Sequence, residues 1–435
     1  MNDRPDVIAK VAWRILPILL PCYFAAFLDR VNIGFAAQTM NRDLGFSASA
    51  FGFGAGIFFL GYVLCELPSN LLLVRFGARR WIARILITWG LLSAMTAFVW
   101  DTTSFYSVRV LLGAAEAGFF PGMIFFMSLW FPRRYRVGMF ALFNIAVPIS
   151  SVIGAPVSGL VITYLNGLHG LAGWQWMFVI EGLPALIMGF VVLFKLPDSP
   201  DKADFLPAEE RDWLVAKLAS ERAEQEVAGR FSIGRALSDP RVLLMCLIAV
   251  GLVWGTTGIA IWMPQFVQAF GLTTLQTGFV TAIPAAFMAI SMVVVGRHAD
   301  RTGERVWHTA GPFLASAAGF VLAAVAPSPI IGLIGLTIGA AGIGGASPNI
   351  WYFPTRLLTG AAAAAGLALI NSVGSTGGFF GPAVIGFMKD LTGGFGGAML
   401  VLAAAMAATA CAILVLGAMM HELVRRPNLA VETRA

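Results

Sequence analysis

An all-α polytopic membrane protein, with twelve transmembrane helices in two six-helix halves, is the fold class this sequence predicts. Three observations carry the prediction. The 435 residues are 58% hydrophobic and 12% charged, with a mean hydropathy of +0.81; soluble domains carry about 25% charged residues. Long apolar runs recur between short polar breaks. Motifs of the first half return in the second at an offset of 226 residues. This composition excludes a soluble enzyme, and no catalytic set is expected. The net charge of +6 and pI near 9.4 point to cationic cytoplasmic loops rather than to nucleic acid. Cys22, Cys65, Cys246 and Cys411 all fall in apolar segments. They read as packing residues, with no disulfide, metal site or cofactor expected.

Taken in order, the first span covers residues 15–37. It is long enough to cross a bilayer at about 1.5 Å per residue and reads as a retained helix rather than a cleavable signal. It carries Asp29 and Arg30 side by side. A charge near the middle of a spanning helix costs about 2.5–3.5 kcal/mol, so such residues face a bundle interior or a wet cavity. The second span, 51–74, carries Tyr62 and Glu66. The third is 81–99. The fourth, 104–130, carries Arg109 and Glu116, seven residues apart and therefore on one face. Spans at 138–164 and 175–195 complete the first half. Glu181 in the sixth follows Gly173-Trp174-x-Trp176 and reads as structural. A polar linker, 196–239, contains a surface helix over 207–226. The second half has spans at 241–268, 277–297, 307–326, 330–352, 362–388 and 397–420. The domains are thus 1–195, the linker 196–239, and 240–435.

Loop charges set the orientation. Loops after even spans hold Arg75, Arg79, Arg80 and Arg84, then Arg133, Arg134 and Arg136, then Arg297, Arg301 and Arg305. The opposite loops offer little beyond Arg42 and Lys389. Both termini and the linker are therefore expected in the cytoplasm. The repeat is clearest where Arg75-x-Gly77-x-Arg79-x-Trp81 aligns with Arg301-x-Gly303-x-Arg305-x-Trp307, and Pro156 with Pro382. Two parallel halves joined by a linker are the architecture of rocking transporters.

Four intramembrane charges stand out. Counted from the outer helix ends, Arg30 lies about 12 Å deep, Arg109 about 8 Å and Glu116 about 18 Å. With Asp29 they sum to zero. If a dianion enters and both carboxylates take protons, the site is neutral again, which a low-dielectric cavity favours. A single proton per monoanion balances equally well. A purely structural role, holding the bundle together, is the alternative. Tyr62 and Asn371 are buried polar groups needing a partner, which a substrate or a neighbouring helix can supply. Trp254, Thr256, Thr257, Gln265, Asn349 and Tyr352 are further cavity candidates in the second half. Glu66 reads as gating or structural.

The segment Gly296-x-x-Ala299-Asp300-Arg301-x-Gly303-x-Arg305 resembles the loop signature of the major facilitator superfamily. That resemblance implies a cytoplasmic latch through Arg75, Asp300 and Arg301. In the first-half copy Asn70 replaces the leading Gly and Val74 the Asp, and Glu66 is a substitute for the missing acid. Further segments resemble one branch, the anion:cation symporters: Asp29-Arg30-Val31-Asn32-Ile33-Gly34, Glu66-Leu67-Pro68-Ser69-Asn70, Arg109-x-x-Leu112-Gly113-x-x-Glu116-Ala117-Gly118-Phe119-Phe120-Pro121-Gly122, and Asn371-x-x-Gly374-x-x-Gly377-Gly378. The branch includes bacterial permeases for tartrate, sugar acids, phthalate and hydroxylated aromatic acids. By resemblance, Asp29 and Glu116 match its proton-binding carboxylates. Arg109 and Arg30 match its substrate-linked arginine and its helix 1 partner. Tyr62 and Asn371 match positions that contact substrate in a galactonate-transporting relative. Vesicular glutamate transporters carry a His where this chain has Ala55, which excludes a His switch at that position.

The expectation is a proton-driven importer of a small organic carboxylate in a bacterial inner membrane, acting as a monomer, with protons as the coupling ion and no other cofactor. A proton-antiporting exporter and a non-transporting membrane sensor are the alternatives. The paired arginines argue against a cationic substrate, and the linker offers no folded output domain.

Overall fold

The computed structural model describes residues 4–144, 146–226, 239–357 and 361–425, so the 227–238 part of the expected linker lies outside the described residues. Every regular element among the described residues is helical. In chain order the helices are α1 (Pro5–Leu44), α2 (Ala48–Phe76), α3 (Ala78–Met95), α4 (Thr102–Glu116), α5 (Phe119–Trp130), α6 (Arg133–Asn144), α7 (Ala146–Tyr164), α8 (Gly173–Lys195) and α9 (Ala208–Glu226). They continue with α10 (Pro240–Gln268), α11 (Thr274–Thr302), α12 (Trp307–Ala324), α13 (Pro329–Ile350), α14 (Tyr352–Leu357), α15 (Ala361–Ser375), α16 (Gly377–Thr392) and α17 (Phe395–Arg425). Among the described residues ten segments are long and apolar enough to cross a membrane.

Two expected spans break at described residues. The span expected over 104–130 breaks between α4 and α5, because Ala117 is extended and Gly118 is left-handed at φ +83°. The span expected over 362–388 divides into α15 and α16 at Thr376.

The described residues fall into two compact units. The first is drawn from Met1–Phe46, Ile57–Gly229 and Gly271–Ala282. In it, α8 packs against α3 and α1, and α1 also packs against α7. The N-terminal end of α1 is tied to α9 by Lys10 Nζ with Glu210 (2.6 Å) and Arg4 with Glu209 (3.2 Å). Glu221 of α9 accepts from the backbone N–H of Arg133 at 2.9 Å, satisfying a free donor at the start of α6. The linker helix is thereby fixed to the first unit. Apolar side chains stay exposed along one stripe of α2: Leu64 (77%), Leu67 (69%), Leu71 (64%) and Val74 (67%). A stripe at that spacing has acyl chains as its natural solvent. Trp13 and Trp100 are also exposed, as expected of rings in an interfacial belt.

The second unit is drawn from Ser47–Gly56, Arg230–Phe270 and Ile283–Ala435. Here α10 packs against α15, α16 and α17, and α12 against α13 and α17. The start of α2 belongs to this unit. Asp390 of α16 accepts from the backbone N–H groups of Ala48 (3.1 Å) and Ser49 (2.7 Å), acting as a cap supplied from another helix. Burial pushes the Asp390 carboxyl up, but these hydrogen bonds outweigh it and hold the group below its ordinary value.

Candidate functional site

The break in the fourth span builds the site. α4 starts on a capping box: Ser104 N–H donates to Asp101 at 2.7 Å, and Asp101 N–H donates to Ser104 Oγ at 3.1 Å. It ends at Glu116, where the backbone turns out of the helix. A Cβ on Gly118 would sit 2.5 Å from Ser69 Oγ, so neither the dihedral nor the space there suits another residue. Ending a helix inside the bundle frees its last carbonyls. Ser69 Oγ donates to the Ala117 carbonyl at 2.6 Å and accepts from Trp81 Nε1 at 3.0 Å. Arg84 donates to the Ala115 carbonyl at 3.4 Å, a cation at a helix C-terminus where the dipole favours it. Broken helices with satisfied ends are how membrane bundles place polar groups at mid-depth.

Glu116, on the last turn before the break, is buried to 1% exposure. Arg30 of α1 reaches it with two donors: Nε at 3.1 Å and Nη2 in a closer contact, both to Oε1. The Arg30 side chain keeps 30% of its surface exposed. Its guanidinium lies 5.2 Å from the Phe27 ring centre and 5.9 Å from that of Tyr62. The pair is therefore asymmetric: a sealed carboxylate holds an arginine whose side chain is only part-buried. α2 and α4 approach closely here, since a Cβ on Gly113 would collide with the Phe58 carbonyl. That approach sets Arg109, itself buried, 4.9 Å over the Phe58 ring. Glu116, Asp29 and Arg30 all act on Arg109 electrostatically.

Asp29 lies close to these charges but turns away from them. Its Oδ1 accepts from Ser93 Oγ on α3 (2.8 Å) and from Asn32 Nδ2 (3.0 Å), while Oδ2 has no hydrogen-bond partner. Tyr23 stacks on Phe143 at 4.2 Å and its hydroxyl reaches Asn144 Oδ1 at 3.5 Å. Tyr62 and Glu66 are both buried on α2. Glu66, one turn from Tyr62, acts on it electrostatically.

The loop residues occupy separate positions. Arg75 is exposed and lies over Phe76 at 5.7 Å. In the same loop Arg79 pairs with Asp198 at 3.0 Å. In the second unit Asp300 pairs with Arg305 at 2.6 Å, Arg305 also donates to Asn349 at 2.9 Å, and Arg301 is exposed. Asn371 is half-buried on α15. Thr256 and Thr257 bond to carbonyls of their own helix, and Gln265 accepts from Lys389 at 3.3 Å. A cleft of about 470 Å³ lined by Cys65, Pro68, Arg84, Thr88 and Ala115 contains none of Arg30, Arg109 or Glu116. It is a groove beside the bundle, not the charged site.

Sequence reasoning passed over Ser69, Ser93 and Asn32. Asn32 had a legible signal, being three residues from Asp29 on the same helix. Ser69 stood inside the Glu66–Asn70 segment without a role, and Ser93 had no signal, because the partners of both lie on other helices.

A helical membrane bundle with a buried charge pair beside a broken helix fits a membrane transporter. The chain belongs to the Major Facilitator Superfamily, whose family model matches residues 19–382. A protein of Agrobacterium vitis named "Putative tartrate transporter" is 51% identical over 434 residues, covering 100% of this chain and 95% of that protein. The "Quinolone resistance transporter" of Acinetobacter baumannii is 40% identical over 394 residues, covering 90% and 91%. Among solved structures, a bacterial homologue of the human lysosomal transporter Spinster, inward-facing and unoccupied, superposes with a TM-score of 0.74 at 17% identity over 96% of each chain. That likeness carries the fold alone. The protein is a multi-pass membrane transporter of a small molecule, not an enzyme.

Proposed function

We propose that this chain imports a small organic carboxylate, such as tartrate, a sugar acid or an aromatic acid, together with protons, as a member of the anion:cation symporter branch. One observation carries the reading: Arg30, whose side chain is part-exposed, is held by the sealed carboxylate of Glu116. Two unit charges about 4 Å apart interact by roughly 4 kcal/mol near a protein surface. A substrate carboxylate offers Arg30 the same interaction, so it replaces Glu116 at little net cost once Glu116 has been neutralised. A proton on Glu116 is what neutralises it. Substrate and proton therefore bind as partners, which is the requirement for symport. Arg109 supplies the second cation for the anion and Asp29 the second proton site, while Tyr62 and Asn371 orient the solute. Glu66, Arg75, Asp300 and Arg301 gate the cytoplasmic side.

The names of the tartrate-transporter relatives support the substrate class. The arginine-bearing loops support a bacterial inner-membrane placement with both termini in the cytoplasm. The chain, with its six-helix halves 1–195 and 240–435, works as a monomer. A second reading, export by proton antiport, is favoured by the relative named for quinolone resistance.

Reconstituted vesicles decide between them. With tartrate and a panel of sugar and aromatic acids outside, an imposed inward proton gradient should drive uptake of at least one acid. Expulsion of preloaded acid under the same gradient would establish export. A gradient with no effect in either direction would refute proton coupling.

A further inference from the structure

Behind the Arg30–Glu116 pair lies a second buried carboxylate that this mechanism does not use. Glu181 of α8 is 1% exposed and Asp29 of α1 is 4% exposed. Glu181 Oε1 accepts from Ser158 Oγ of α7 at 2.7 Å. Its Oε2 is buried without a hydrogen-bond partner, as is Oδ2 of Asp29. The two acids share a neighbour. Asn32, which donates to Asp29 at 3.0 Å, also acts on Glu181, and so does the Asp29 charge itself.

The facing groups can be enumerated. Glu181 is met by Asp29 and Asn32 from α1 and by Ser158 from α7. α3, which also packs on α8, contributes Ser93, the donor to Asp29, and Trp89, whose indole also acts on Asp29. Asp29 is the titratable group that meets Glu181, and Asp29 in turn feels the charges of Glu116 and Arg109 from α4. It carries charge of the same sign, and neither acid is in an ion pair among the described residues.

A purely structural carboxylate in such a place would have its lone pairs filled. Leaving a buried acceptor unmade costs about 1–3 kcal/mol, more when it is charged, and an unpaired buried charge is costlier still. A proton answers both problems at once, since it removes the charge and converts the bare oxygen into a hydroxyl. Two such acids side by side cannot both ionise cheaply, because the first charge opposes the second.

We propose that Glu181 is a proton-binding site coupled to Asp29, the two carboxyls forming one unit that gives up its protons in two steps. The unit sits behind the substrate pair and holds a proton where substrate does not compete for it. Its part in transport rests on the proton-coupled reading above; the titration itself does not.

Infrared difference spectroscopy of the purified protein in lipid nanodiscs, followed across pH, reads the carboxyl C=O band directly. In the wild type the two carboxyls of this unit should lose their protons in two steps, assigned by their change in E181Q and D29N and separate from any Glu116 step. E181Q should lack one band and release the Asp29 proton in one step, about one pH unit or more below the second wild-type step. D29N should do the same for Glu181. S158A removes the hydroxyl that supports ionised Glu181, so the Glu181 step should move to higher pH; this variant serves if E181Q does not fold. An unshifted Asp29 step in E181Q, or an unmoved Glu181 step in S158A, overturns the proposal. Proton-to-substrate ratios in vesicles are the second arm. A lower ratio in E181Q supports a part in transport, and an unchanged ratio overturns that part. Absence of any proton-driven flux in the wild type would sink symport while the two-step titration still stood.

Discussion

Replacing Glu116 by Gln tests the coupling argument most directly. The perturbation is small in shape, since Gln keeps a carbonyl oxygen where Oε1 accepts from Arg30 at 3.1 Å. What it removes is the charge and the proton site. Losing one partner of a fully buried ion pair costs about 3–5 kcal/mol. Arg30 retains 30% of its side-chain surface exposed, so water and the retained hydrogen bond reduce the penalty to about 1–2 kcal/mol. The variant should therefore fold and melt a few degrees lower. Arg30 is then released permanently, and substrate binds without a proton. With the membrane potential clamped at zero, each coupled proton supports about tenfold accumulation per pH unit of gradient. In E116Q the accumulation ratio should collapse toward one, while exchange of internal for external substrate continues at a comparable rate. Proteoliposome uptake and counterflow, measured side by side, give both quantities. Equal loss of uptake and exchange would refute the coupling role, because it would mean that Glu116 is needed for binding or folding. Retained accumulation would refute it from the other side.

Other outcomes follow from neighbouring contacts. R109A should abolish the thermal stabilisation that a bound carboxylate produces in a melting assay, and unchanged stabilisation would mean that the anion docks elsewhere. G118A should destabilise by about 1–3 kcal/mol through a left-handed backbone and crowding of Ser69, read as a lower melting temperature; an unaltered melt would mean the break can relax. Asp390 is held below its ordinary value by the start of α2. A depressed carboxyl contributes stability that is complete above its unfolded value near pH 3.9 and is lost as pH falls through the lowered one. D390N has no such group to titrate, so its melting temperature should fall less steeply than that of the wild type between about pH 4 and pH 2. Parallel curves would exclude the cap as an acid-sensitive contact.

How much of the site was legible depends on the range of the interaction. Hydropathy is a local sum, so α1, α2, α8 and α10 could be read from composition alone, along with the charges inside them. The seven-residue spacing of Arg109 and Glu116 is also local, and it placed both on one face. The direction of Asp29 was not legible in the same way. Adjacent residues on a helix point about 100° apart, so Asp29 and Arg30 had to face different neighbours, but periodicity does not say which. Arg30 met Glu116, and Asp29 met Ser93 and Asn32. Glu181 read as structural from the sequence, and what the sequence did not show is its nearness to Asp29 and Asn32, which follows because α8 packs on both α1 and α3.

The break after Glu116 lies between these cases. Glycine and proline in Gly118-Phe119-Phe120-Pro121-Gly122 are visible as weak points, but glycine permits a left-handed turn without demanding one. The turn is held by Ser69 and Arg84, which come from α2 and α3. The sequence by itself determined that the chain spans a membrane many times, that its halves repeat, and which charges must be buried, because apolar length, repeated motif and desolvation cost are properties of residues. Only the tertiary structure decided which charges pair, which acid stands bare beside another, and where the fourth span breaks, because those depend on partners that other helices bring into contact.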